Sequence, residues 1–96
     1  MDTKTLRSAL ALSLAEFAAV AGVDKQTCWR WERYGQRPRA RAIRDRLAAL
    51  ERESTTPEGR AAITLRALTE LAEQKHARDL KTAERRAQAI VDEAPA

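Results

Sequence analysis

The stretch KQTCWRWERY contains two kinds of side chain that alternate at helical spacing. At about 100° per residue of an α-helix, Cys28 and Trp31 fall on one face. The opposite face carries Gln26, Arg30 and Arg33. An arginine can bond guanine through two hydrogen bonds, and a glutamine can bond adenine in the same way, within the major groove that an α-helix fits. The pattern therefore predicts a helix that packs through one face and contacts DNA bases through the other.

The basic side chains are concentrated around this stretch. The whole chain has a formal net charge of +4, whereas residues 25–46 alone carry eight basic and two acidic side chains, a net charge of +6. Residues 54–96 hold seven of each sign. Such a patch favours nucleic acid as a partner over an anionic membrane surface. The alternative is that these arginines are a solvated helix surface, as most charge runs are.

The composition favours an all-α protein, because Ala, Leu, Arg and Glu dominate and only 4% of residues are aromatic. One cysteine allows no disulfide within the chain. No apolar run approaches the roughly 20 residues of a membrane span, so we expect a cytoplasmic protein. With a single histidine, no Ser/His/Asp set and no Gly-rich phosphate loop, we expect neither an enzyme nor a metal, cofactor or small-molecule site.

Capping signals and apolar spacing predict four short helices before residue 54. Ser13 and Glu16 form a capping-box pattern at the start of the second helix, and Gly22 ends that helix. The fourth helix has its apolar face at Ile43, Leu47 and Leu50. The predicted bounds, with caps, are Thr3–Leu12, Ser13–Gly22, Asp24–Gly35 and Arg39–Glu53.

The stretch LSLAEFAAVAGVDKQTCWRWERYGQRP resembles the helix-turn-helix of lambda-repressor-like regulators. In that family the pattern S-x-x-E-[LF]-A-x-x-x-G-V-x-x-x-T-[hydrophobic]-x-x-W-E-x-G-x-x-x-P is common. Leu14 stands where many members have Gln, and Tyr34 adds one residue to the usual W-E-x-G. The resemblance covers roughly residues 5–50. The matching residues are Ser13, Glu16, Phe17, Ala18, Gly22, Val23, Thr27, Cys28, Trp31, Glu32, Gly35 and Pro38.

The resemblance implies a four- to five-helix DNA-binding domain in residues 1–53, with Val23, Cys28 and Trp31 in its core and Glu32 paired with Arg7. Cys28 is then a small apolar filler and not a redox sensor. The side chains expected to contact bases are Lys25, Gln26, Thr27, Trp29 and Arg30. Those expected to contact phosphates are Arg33, Arg37, Arg39 and Arg41. For Trp29, packing over the fourth helix is an equal alternative to contacting a base or sugar.

Residues 57–93 are predicted to form one long helix of about 55 Å, with Thr56 as its N-cap. The apolar residues along it recur mainly at three- and four-residue steps, and His76 bridges the one longer gap. We call this stripe the seam and predict that two copies of the chain pair through it. The alternative is that the segment folds back on the first four helices, with a bend near QKHARD. The seam residues expected at the dimer interface are Leu65, Leu68, Ala72, Leu80, Ala83, Ala87 and Ile90, with Ala61 before them.

These observations together predict a repressor of phage, plasmid or mobile-element type. It would bind a pseudo-palindromic operator in double-stranded DNA as a homodimer. Two alternatives remain open. One is a winged DNA-binding protein of the excisionase or mercury-regulator kind, because WRWERYGQRPRARAIRD also resembles the start of those modules. The other is a protein-interaction module, such as an antitoxin or adaptor, that captures a partner through the long helix.

Overall fold

The computed structural model of this protein describes residues 2–93. The described residues form five α-helices and no strand, so the predicted all-α fold with a long C-terminal helix is confirmed. No helix among them is both long enough and apolar enough to cross a membrane. The helices are α1 (Thr3–Leu10), α2 (Leu14–Ala21), α3 (Lys25–Tyr34), α4 (Arg41–Glu53) and α5 (Pro57–Glu93).

The predicted caps of α2 and α3 are confirmed. The Ser13 hydroxyl accepts a hydrogen bond from the Glu16 backbone N–H at 3.1 Å, and the Glu16 carboxylate accepts one from the Ser13 N–H at 2.7 Å. These reciprocal bonds satisfy two donors that the first turn of a helix leaves free. Gly22 and Gly35 end the two helices with φ of 77° and 61°, in the left-handed region that glycine adopts without steric cost.

Two of the approximate helix bounds predicted from the sequence differ from the structure by one or two residues. The first helix ends at Leu10 because Ala11 turns into the left-handed region, with φ of 53°, and this turn places Leu12 in the core. The fourth helix begins at Arg41 and not at Arg39. The chain is still extended at Ala40, which supplies no side-chain cap.

One core joins α1, α2, α3, the end of α4 and the start of α5. Its fully buried side chains include Phe17 and Ile63, and no buried side-chain N or O atom in the described part of the chain lacks a partner. Ile43 and Leu47 are only partly buried, because α4 reaches the core mainly through Leu50 near its end. The core consists of Leu6, Leu10, Leu12, Phe17, Ala18, Cys28, Trp31, Leu50, Ile63 and Ala67.

The long helix α5 runs without interruption from Pro57 to Glu93 and sets the 62 Å long dimension of the molecule. The predicted single helix is confirmed, and the bend near QKHARD that the alternative required does not occur, since helical hydrogen bonding continues through that stretch. Ile63 and Ala67 are fully buried and Leu71 is half-buried, whereas every residue from 72 to 92 is exposed. Residues 57–71 therefore pack against the first four helices. We call residues 2–71 the globular unit and residues 72–93 the projecting helix.

Candidate nucleic-acid interface

The inward face of α3 fixes the orientation of this helix in the globular unit. Cys28 and Trp31 are 1% and 7% exposed, as the helical spacing predicts. Val23, predicted as core, is half-buried and packs against the core from its edge. The Asp24 carboxylate caps α3 by accepting a hydrogen bond from the Thr27 N–H at 2.6 Å. That bond is the main reason why the pKa of Asp24 lies below its usual range, so the cap is ionised at neutral pH.

A second restraint on α3 comes from Arg7, which lies on α1. Its guanidinium donates two hydrogen bonds to the Glu32 carboxylate, at 2.7 and 2.8 Å. It donates a third to the backbone carbonyl of Leu12, at 3.1 Å. The pair that the resemblance implied is present. It joins α1 to α3 through the paired hydrogen bonds that arginine and carboxylate groups favour, and the third hydrogen bond adds the turn before α2.

The outward face of α3 is polar, basic and open. Gln26, Arg30 and Arg33 are exposed on the side of the helix away from Cys28 and Trp31, and Lys25 is exposed at the first residue of the helix. Thr27 is half-buried at the edge of this face. A helix anchored on one side, with arginine and glutamine free on the other, has the chemistry needed to contact base edges in a major groove.

Arg37 and Arg39, which we predicted to contact phosphates, border the same shallow groove as Thr27. Pro38 and Ile43 also line this groove, between α3 and the extended segment that leads to α4. Both arginines are exposed. The structure thus brings one predicted base-contacting residue next to two predicted phosphate-contacting ones. Gln36 lies in the same groove; its place in a short polar connection gave no sequence signal of a role.

Trp29 is 46% exposed and packs edge-on against the Tyr34 ring, with 5.9 Å between ring centroids. Tyr34 is itself exposed. The ring contact of Trp29 is therefore within α3, which does not favour the alternative of packing over α4. An exposed aromatic pair beside arginines offers flat apolar surface to a sugar or a thymine methyl group.

The other three arginines of the basic stretch lie on α4 and do not line the groove of Thr27. Arg46 lies over Gly22, where a side chain at position 22 would collide with its guanidinium. Arg44 borders a neighbouring groove that Arg37 also lines. Arg41 is exposed, with its Nε 3.9 Å from the Asp45 carboxylate. The net charge of +6 is therefore not confined to the groove of Thr27.

Cys28, the one cysteine of the sequence, is buried in the core. Burial raises the pKa of the Cys28 thiol to about 12, with nearby Glu32 and Asp24 adding to the effect. The thiol is therefore neutral and a poor nucleophile at pH 7. No group of three or more potential metal ligands occurs within residues 2–93.

No protein-family model, curated protein or solved structure matches this chain. The likeness to lambda-repressor-like regulators therefore rests on the sequence pattern alone and stays a prediction. The case for a function rests on the geometry of α3 and its surroundings.

Proposed function

We propose that this chain is a sequence-specific DNA-binding transcriptional regulator without enzymatic activity. The observation that carries the proposal is the outward face of α3, with Gln26 and Arg30 exposed and anchored from behind by Trp31. Arginine and glutamine on an exposed helix face suit the major groove, and Arg37 and Arg39 beside the same helix suit phosphates. Lys25, Thr27 and Trp29 complete the proposed base-contacting set, and Arg33 and Arg41 the phosphate-contacting set.

The proposed regulator acts as a homodimer in the cytoplasm, with α5 as the pairing element. Two copies would present two α3 helices to half-sites about 34 Å apart, one turn of B-DNA, in a pseudo-palindromic operator. The second half-site is then bound at high effective concentration, which raises the affinity steeply over that of a monomer. Occupying a promoter suffices to repress it, so the proposed regulator is a repressor, of phage, plasmid or mobile-element type.

Selection of bound sites from random double-stranded DNA, using the full chain, tests this proposal directly. We expect a half-site motif, with its repeat giving the spacing. Arg30→Ala should then cost about 1–3 kcal/mol on the selected site and relax the preference at one base pair. Arg85→Ala is the matched control, because Arg85 is an exposed arginine on the projecting helix and its loss removes the same charge.

Two other outcomes would change the assignment. If Arg30→Ala weakens binding equally on all sequences, Arg30 holds a phosphate and does not contact a base. If no motif is selected and no DNA binds at physiological salt, the proposed function is wrong.

A protein-interaction module is the second candidate, and the exposed seam supports it. Leu65 and Ile90 are 68% and 69% exposed, so an apolar surface on α5 is open to a partner. A pull-down that recovers a stoichiometric protein partner, together with absence of DNA binding, would favour this function. The winged alternative needs a β-hairpin after Pro38 and has no support from residues 2–93, which contain no strand.

A further inference from the structure

The two apolar stripes of α5 lie on opposite sides of this helix. Ile63 and Ala67 face the globular unit. At about 100° per residue, the seam is centred roughly 170° away from the midpoint of these two residues. Leu65 and Leu68 on the seam are 68% and 50% exposed. The first four helices already use the buried side of α5, so they cannot also cover the seam.

Between Leu65 and Ile90, and with Asp79 in place of Leu80, the spacing along the seam is the same when counted from either end. Asp79 lies about 35° from the centre of the stripe and Leu80 about 65°, so Asp79 is the position on the stripe and Leu80 lies at its edge. Steps of three and four residues then follow in the order 3, 4, 4, 3, 4, 4, 3, which is its own reverse. The positions are 65, 68, 72, 76, 79, 83, 87 and 90.

This spacing also keeps the seam on one face of a straight helix. A repeat of 3, 4 and 4 places eleven residues in three turns, about 3.67 residues per turn. That period is close to the 3.6 residues per turn of an α-helix, so two such helices can stay in contact over the whole seam without strong supercoiling. The uninterrupted α5 matches this requirement.

We propose that two copies of the chain pair through this seam with their α5 helices antiparallel, an inference that rests on the dimer in the proposed function. The mirror spacing then sets Leu65 level with Ile90 of the second copy and Leu68 level with its Ala87. Near the centre, Ala72 meets Ala83. The exposed groove that receives Leu68 is lined by Ala83, Ala87 and Ile90 together with the polar residues Asp79, Thr82 and Arg86, so Leu68 packs mainly against the two alanines.

Charge at the centre of the seam favours the antiparallel direction. There the mirror spacing sets Asp79 of one copy beside His76 and Lys75 of the other, and the pairing occurs twice. In a parallel pair, Asp79 would face the identical carboxylate of the second copy. The antiparallel pair also sets Glu73 beside Glu84 of the other copy, again twice, but at the solvent-exposed edge, where charge interactions are weak. Like charges at the centre of an interface select against an orientation more strongly than those at its rim.

Single cysteines on the seam of the full chain test the direction of pairing. Ala72→Cys and Ala83→Cys would be prepared separately, each keeping the buried native Cys28. In the antiparallel dimer, identical cysteines are eleven residues apart along the axis, about 16 Å, too far for a disulfide. We therefore expect neither variant alone to form a covalent dimer on oxidation, whereas an equimolar mixture should form disulfide-linked pairs. Ala77→Cys, on an exposed position away from the seam, is the control for random collisions.

The other results overturn the inference. A covalent dimer formed by Ala72→Cys alone means parallel pairing. No covalent dimer in the mixture, with a monomer in sedimentation of the wild-type chain, means that the seam does not pair copies at all. DNA selection on the same wild-type chain separates the two proposals, because a monomer that still selects a half-site leaves the DNA-binding function standing.

Asp79→Asn gives a second readout that does not depend on cysteines. In the antiparallel dimer the substitution removes two attractive contacts, so the dimer dissociation constant should rise about fivefold. In a parallel dimer it removes a repulsion and the constant should fall, which would contradict the proposal. Asp92→Asn, on the exposed face opposite the seam, is the matched control and should leave dimerisation unchanged.

Discussion

The globular unit and the projecting helix obtain their order from different sources. In the globular unit, apolar side chains such as Phe17 and Ile63 are fully buried between helices. In the projecting helix every side chain from Ala72 to Asp92 is exposed, so tertiary packing contributes little to it. Isolated helices are marginal in water, and this one depends on its residue types and on continuing a helix that is already docked. Pairing with a second copy would supply the burial that the single chain lacks.

The residues expected to determine stability and those expected to determine association therefore lie in different parts of the chain. We expect a substitution in the buried stripe of α5 to affect folding, and one in the seam to affect the proposed pairing. We expect a change on the inward face of α3 to affect folding, and one on its outward face to affect the proposed DNA binding. Neighbouring residues of similar type offer matched pairs that test this separation.

The largest effect is expected at the two neighbouring tryptophans of α3. Trp31→Ala removes a core side chain that is 7% exposed, and it should lower the free energy of unfolding by about 3–5 kcal/mol. That is a large share of the stability of a small domain. Trp29→Ala, at 46% exposure, should lower it by less than about 1 kcal/mol and act mainly on DNA binding. Urea unfolding monitored by circular dichroism measures both, and equal destabilisation would show that the faces of α3 are not divided in this way.

A smaller effect is expected at Ile63 and Leu65, two residues apart on α5. Ile63→Ala should lower the free energy of unfolding by about 2–4 kcal/mol, because its side chain is fully buried in the globular unit. Leu65→Ala should leave the unfolding of the dilute monomer within about 0.5 kcal/mol of wild type and weaken self-association. Sedimentation and unfolding on both variants provide the test. If Leu65→Ala destabilises the monomer as much as Ile63→Ala, the seam is covered in cis.

Sequence periodicity could predict α2 and α3 closely because local signals define both ends of each helix. Ser13, Gly22, Asp24 and Gly35 act through hydrogen bonds or backbone angles within their own turns. The ends of α1 and α4 were missed because no such residue marks them: Ala11 adopts a left-handed angle that its type does not announce. At the end of α1 there is no local signal of this kind. The helix ends where Leu12 packs into the core, which is a contact with residues distant in sequence.

One apolar stripe of α5, the seam, was predicted from the sequence, and the other was not. Ile63, Ala67 and Leu71 recur at four-residue steps, a signal that was present in the sequence, but only the three-dimensional packing shows which stripe the globular unit takes. The part of the candidate interface on α3 could be predicted, because the positions of the buried residues of a helix determine which residues face outward. The grooves that Arg44 and Arg46 border could not, since they depend on where α4 packs.

The smallest effect is expected from the arginines beside α3, and it is visible only through its salt dependence. Each phosphate that a protein neutralises releases counterions, so log K falls with log salt with a slope of about −0.9 per neutralised phosphate. Replacing both Arg39 and Arg41 by Ala should make that slope shallower by about 0.9 for every phosphate that the variant no longer neutralises. Arg39 borders the groove with Thr27, whereas Arg41 has the Asp45 carboxylate 3.9 Å away, so Arg39→Ala alone should account for most of the change. Binding titrations at several salt concentrations, with Arg85→Ala on the projecting helix as the control, measure the slope. An unchanged slope in the double variant would assign both arginines to a solvated surface and leave the phosphates to Arg33 and Arg37.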